Sequence, residues 1–117
     1  MNTEQFNQVL EQRISLIRKS LVEKAKEYAR DDRLHNFNRL AKLQENPREV
    51  SLIHLCDKQY ISIHDMIDDL HLHLLTDCQC SEKMSSTDLS LWKEKIGDVI
   101  NYMILLEAMI EEASLDE

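Results

Sequence analysis

Asn46-Pro47-Arg48-Glu49, running into Val50-Ser51-Leu52-Ile53, is the stretch that decides how this chain folds. Asn is a favoured N-cap. Pro suits the first helical position, where a missing N–H costs nothing, and Glu at the third completes a capping-box pattern. A long helix is therefore expected from here to about residue 75. Val50, Ile53, Tyr60, Ile61, Ile63, Ile67, Leu70 and Leu74 recur along it at core-facing steps. Upstream, Leu34, Phe37, Leu40, Ala41 and Leu43 predict a short helix, with Asp32 in Arg30-Asp31-Asp32 as its N-cap. Before that, Phe6, Val9, Leu10, Ile14, Ile17, Leu21, Ala25 and Tyr28 predict a first helix from after Thr3 to about residue 29. Downstream, residues 76–87 are polar and read as a loop. Thr87 and Asp88 then open a last helix whose stripe is Leu91, Trp92, Ile96, Val99, Ile100, Met103, Leu106 and Ile110, with fraying expected over 113–117. A strict heptad fit for a simple coiled coil and internal repeats are both missing.

The totals agree. One Gly and one Pro in 117 residues leave little for sheets or tight turns. The length suits one domain over residues 1–117, not two. The expected fold is all-α: a bundle of three long helices plus one short helix. So much helix in so short a chain cannot bury both sides within one copy, and a symmetric homo-oligomer is expected. The net charge of −8 disfavours nucleic acid and anionic membranes as partners. No run approaches the ~18 uninterrupted apolar residues of a membrane span. An acidic, polar start and three cysteines, Cys56, Cys78 and Cys80, fit a reduced, cytoplasmic setting.

Chemistry is suggested at two acidic stretches, His64-Asp65-Met66-Ile67-Asp68-Asp69 and Glu94-Lys95-Ile96-Gly97-Asp98. Asp65 and Asp69, like Glu94 and Asp98, are four apart and so share a helix face. Two such faces turned together would cage a cation, and hard oxygen ligands suit Mg²⁺ or Mn²⁺ better than zinc. Asp65, Asp68, Asp69, Glu94 and Asp98 are the candidate metal ligands, with Asp65, Glu94 and Asp98 as the candidate catalytic groups. The plain alternative is two solvated acidic faces, with Lys95 neutralising its neighbours. Gly97, mid-helix and costing ~1 kcal/mol against Ala, marks the close approach of a neighbouring helix or a ligand.

Glu94-Lys95-Ile96-Gly97-Asp98-Val99-Ile100-Asn101-Tyr102 resembles the last metal-binding helix of the all-α nucleoside triphosphate pyrophosphohydrolases, the MazG-like superfamily. Lys24-Ala25-Lys26-Glu27-Tyr28-Ala29 with Asp32-Arg33-Leu34-His35-Asn36-Phe37 is similar to the N-terminal signature of a group of small phage and Gram-positive bacterial members. Ser62-Ile63-His64-Asp65-Met66 resembles their third helix. The resemblance implies a helical bundle assembled as a dimer or tetramer. It also implies Mg²⁺-dependent hydrolysis of a (deoxy)nucleoside triphosphate to monophosphate and pyrophosphate. Nucleotide-binding roles follow for Lys24, Glu27, Tyr28, Arg33, Asn36, Asn101 and Tyr102. Asp98 matches the Asp of the family's Glu-x-x-Asp, and Asp65 and Asp68 match two acids of its Glu-Glu-x-x-Glu. The chain departs from the pattern at His64, where an acid is expected, and at Lys95, where a ligand Glu is expected; Glu94 stands one residue earlier. Those departures keep two alternatives open: a catalytically silent protein binding a nucleotide or related signal, and a small helical inhibitor acting through protein contacts. Tyr28 and Phe37 read equally as core aromatics, and Lys24, Glu27 and Arg33 as surface charges.

His71-Leu72-His73 and Cys78-Gln79-Cys80 place four zinc-type ligands within ten residues. Their spacing matches no common zinc module, and bystanders at a helix end are the simpler account.

Overall fold

The structure, a computed structural model, describes residues 1–28, 32–75 and 86–115, with the side chains of 27, 28, 72–75, 86 and 87 left out. It is all helical. Helix α1 spans Thr3–Arg18 and continues as a wider π-type turn, Lys19–Glu23, then a tighter 3₁₀ turn, Lys24–Tyr28. A short α2 (His35–Gln44) and two long helices, α3 (Arg48–Leu75) and α4 (Ser86–Leu115), complete the set, with no strand among the described residues. Three long helices and a short one are as the periodicity predicts.

Local chemistry explains the boundaries. Asn2, not Thr3, caps α1: its side chain accepts from the Gln5 N–H at 2.8 Å while Gln5 Oε1 accepts from the Asn2 N–H at 2.9 Å. Asp32 lies two residues before Leu34, the N-cap position of α2, and its carboxylate accepts from the Leu34 N–H at 3.0 Å and from the Asn38 amide at 3.3 Å. Helix α2 ends in a Schellman turn. The Asn46 N–H reaches back to the Ala41 carbonyl, the Glu45 N–H to that of Lys42, and Glu45 takes the left-handed conformation at φ 55°. Pro47 then supplies the carbonyl for the first bonds of α3, from Val50 and Ser51.

Helix α3 packs chiefly on α4 and on α2, while α1 touches α4 lightly. The register of the antiparallel α3–α4 pair is fixed at two points. Arg48 donates to Glu112 at 2.8 Å and to the Met109 carbonyl at 2.9 Å, and Lys95 donates to Gln59 at 3.2 Å. The Glu112 hydrogen bond is also the main reason the Arg48 guanidinium holds its proton more tightly than usual, against the opposing pull of desolvation.

The buried core sits at one end. Leu34, Leu52 and Met109 meet there, with Phe37, Tyr102, Leu105 and Leu106 packed around them. Ser51, Ala41 and Cys56 are the other buried side chains named with this core. Much of the predicted core stripe is exposed in the single chain: Phe6, Val9, Leu10 and Ile14 on α1, Tyr60 and Ile61 on α3, and Leu91, Ile96, Met103 and Ile110 on α4. The periodicity located apolar faces correctly as helix faces. It does not say what covers them, and one copy spread over 56 × 33 × 27 Å leaves them open.

Glu45 carries the cost of a left-handed backbone with a Cβ in place. Replacing it with Gly is expected to raise stability by about 1 kcal/mol, seen as a higher urea midpoint at an unchanged slope.

Candidate functional site

Along α4, Glu94, Asp98 and Asn101 follow at four- and three-residue steps, and Tyr102 adjoins them, so the set shares one flank of the helix. That flank looks toward α3, where Cys56 and Gln59 stand. Asp98 is half-buried. Desolvation, then the charge of Glu94, pushes its carboxyl above the usual carboxylate range, with Lys95 opposing. No hydrogen bond from a described residue reaches that carboxylate. One turn further, the Asn101 Oδ1 is buried and likewise has no partner. Two hard oxygen acceptors thus lie three residues apart with no donor between them. Tyr102 is half-buried, and its phenol is raised by desolvation first, then by Asp98 and Cys56. The buried Cys56 thiol is raised by desolvation and by Asp57.

Lys95 lies beside this pair. Its ammonium donates to Gln59 across the helix interface and stays close enough to Asp98 to oppose the rise of its carboxyl. Gly97 has its explanation in a neighbouring helix. A Cβ there would stand 2.6 Å from Arg13 Nη1, and Arg13 Nη2 donates to the Lys93 carbonyl at 3.0 Å. The missing side chain lets the α1 arginine lie across α4.

The acids of α3 are placed differently. Asp65, Asp68 and Asp69 are all exposed, and His64 packs edge-on against Tyr60 with ring centroids 4.7 Å apart. Opposing Lys95 to Gln59 in the antiparallel pair sets Asp98 level with Cys56, and Asp65 about nine residues, or ~14 Å along the axis, from that level. Glu94 lies closer to the level of Asp65. Among the described residues no three His, Cys, Asp or Glu side chains converge as a metal-binding group.

The N-terminal signature is split between roles. Phe37 packs on the buried cluster, as the core reading has it. Arg33 donates to the Leu21 carbonyl at 2.8 Å, in the widened turn where the regular helical ladder is interrupted. Arg33, Asp32, Leu21, Leu34, Ile104 and Glu112 help line an open groove of roughly 420 Å³ that contains none of the five candidate metal ligands. Lys24 and Asn36 are exposed, and the side chains of Glu27 and Tyr28 lie outside the described residues. His71 is exposed, while the His73 side chain, Cys78 and Cys80 also lie outside the described residues.

Sequence reading missed two participants, Gln59 and Arg13. Both carried a usable signal, being polar residues within the core-facing stripe of a long helix.

No family model matches the chain, and no curated protein and no solved structure matches it. No described helix is long and apolar enough to cross a membrane.

The raised Asp98 carboxyl has a consequence for stability. Below the unfolded-state pKa the group is neutral in both states and costs nothing. As pH rises through the higher folded-state value, the native protein must hold an ion that it solvates less well than water does. Asp98→Asn is therefore expected to raise the melting temperature at pH 7, with the gain shrinking as pH falls into the carboxylate range. An equal or larger gain at low pH would contradict this placement of Asp98.

Proposed function

We propose that this chain is a MazG-like nucleotide pyrophosphohydrolase-type protein acting with Mg²⁺ or Mn²⁺ on a (deoxy)nucleoside triphosphate. The observation that carries the reading is on α4: the half-buried Asp98 carboxyl, raised by desolvation and by Glu94, with the buried and partnerless Asn101 oxygen one turn further. A cation beside Glu94 and Asp98 would offset the repulsion between the two carboxylates. The donor set fits the metal. Mg²⁺ is commonly held by one or two carboxylates, with waters and substrate phosphates completing the shell, so Glu94 and Asp98 suffice as a protein platform. Of the α3 acids, Asp65 stands nearest the level of Glu94, and Asp68 and Asp69 lie further along the helix, away from Asp98.

When bound, the metal would lower the pKa of a water and offset phosphate charge. Glu94 and Asp98 would hold that centre, and a carboxylate of the set would accept the proton of the attacking water. The water oxygen joins the α-phosphorus, the bond from that phosphorus to the bridging oxygen breaks, and pyrophosphate leaves with the electron pair. Tyr102 and Asn101 border the same flank and supply contacts for the nucleotide. As for the resembled superfamily, the working form would be a homo-oligomer.

A catalytically silent nucleotide binder is the second reading, favoured by one residue. Lys95 puts a cation next to Asp98 where the resembled pattern has an acid, and lowers that carboxyl's affinity for protons and metal alike.

Pyrophosphate release is the direct test, measured over the common triphosphates with Mg²⁺. Turnover is expected, falling by about 100-fold or more in Asp98→Ala and rising in Lys95→Glu. Nucleotide-dependent stabilisation with Mg²⁺ but no turnover in wild type would establish the silent reading. Neither stabilisation nor turnover would remove both.

A further inference from the structure

We infer that the solvent-facing side of α4 is an interaction surface for a second copy of this chain, the two α4 helices packing antiparallel about a two-fold axis near Val99 and Ile100. Leu89, Ile96, Met103 and Ile110 fall seven residues apart, and they are 47, 38, 41 and 55% exposed. A seven-residue apolar stripe is the seam that two helices share when they cross at a shallow angle. This seam is distinct from the sides of α4 already in use. Tyr102, Leu105, Leu106 and Met109 pack on the buried cluster, and Gly97 meets Arg13 of α1. Half-buried Trp92, Val99 and Ile100 widen the seam, so over residues 89–110 the helix is apolar on more than one side. Helices of that kind are buried in the working protein.

The area says how much must be covered. The chain exposes 9470 Å², whereas a compact monomer of its 13.8 kDa mass exposes about 6,600 Å². The excess of roughly 2,800 Å² is above the ~1,000–2,500 Å² that each protomer of an obligate dimer buries, and it is shared between the α4 seam and the open faces of α1 and α3. Charge then selects the direction. Lys93 lies on the N-terminal half of the helix and Glu107 on the C-terminal half, both exposed, while Glu111 comes level with the second copy's Asp88 at the end of the seam. An antiparallel pair brings Lys93 toward Glu107 of the second copy, whereas a parallel pair would set Glu107 beside its own duplicate. In the antiparallel register Ile96 meets the second copy's Met103, and Leu89 meets its Ile110. The face is self-complementary, as a two-fold interface must be.

This deepens the oligomer proposed above by naming its surface and register, and it rests on nothing about nucleotides. Molar mass by light scattering, with circular dichroism to confirm helicity, tests it separately from any turnover assay. Wild type is expected at twice 13.8 kDa across the micromolar range. Met103→Lys and Ile96→Glu alone should each give a helical monomer. The double variant Ile96→Glu/Met103→Lys should recover the dimer, because each introduced acid then faces an introduced base. Should the single variants fail to fold, the exposed Glu107→Lys serves instead, weakening the dimer without touching the core. A wild type that stays monomeric into the millimolar range would overturn the proposal and leave the face to a different protein. A dimer indifferent to Met103→Lys or Glu107→Lys would overturn it too, and a double variant as monomeric as its parents would overturn the antiparallel register.

Discussion

The fold depends on the packing of Leu52 against Met109 beneath Leu34, where α3 and α4 cross near the start of one and the end of the other. Both residues are fully buried, and with Leu34 they form the cluster on which the surrounding aromatic and aliphatic side chains pack. Arg48 holds this end closed by linking the end of α4 to the first turn of α3, through the Glu112 carboxylate and the Met109 carbonyl, with Asn38 of α2 at 3.3 Å. The helices of the long pair therefore meet at a defined register, and everything placed further along them inherits it. The Lys95–Gln59 pair and the closeness of Tyr102 to Cys56 belong to the same antiparallel packing that brings Met109 onto Leu52. Arg48 belongs to the turn that opens α3, so the cap that starts the helix also supplies the residue that registers it.

Much of this was legible in the sequence. The boundary near Pro47, both long helices and the short helix before them follow from period and turn chemistry, which are local and need no tertiary information. The capping box does not form as read: α3 opens one residue later, on the Pro47 carbonyl, and Glu49 accepts from Arg48. The faces were legible as faces but not as core. Phe6, Leu10 and Ile14 recur as a buried stripe must, yet they lie open, because periodicity reports only that a side should leave water and not what will cover it. Capping details failed for a related reason. Asn2 and Asp32 are both good caps by type, and which residue serves depends on where the chain turns, one residue earlier than read for α1 and two residues later than Asp32 for α2.

The candidate site divides along the same line. Spacing alone put Glu94 and Asp98 on one face of α4, and the position of Asp98 beside the apolar stripe pointed to its partial burial, which is found. Spacing could not give the relative level of two different helices, and that level staggers Asp65 from Asp98. Nor could it reveal that Lys95 would be turned toward Gln59, since that requires knowing which helix lies opposite. Gly97 shows the limit well. Its cost in a mid-helix position correctly implied a close neighbour, but helix and ligand make the same demand for space, and only the fold shows Arg13 occupying it.

Helix α4 resolves what looks at first like a conflict in its composition. A helix with polar function on one flank is ordinarily amphipathic, but this one is apolar on two sides and acidic on a narrow third. The conflict disappears if each side answers to a different neighbour: α3 along Tyr102 and Met109, α1 at Gly97, and the open seam along Ile96 and Met103. Asp98 and Asn101 then occupy a flank turned toward α3, where partial desolvation of the carboxylate and the partnerless Asn101 oxygen cost stability that the apolar sides must supply. A single chain covers only one of those apolar sides well. The burial available at the seam would offset the cost of holding Asp98 ionised beside Glu94, so covering that face and tolerating that carboxylate are two parts of one stability balance in the same helix.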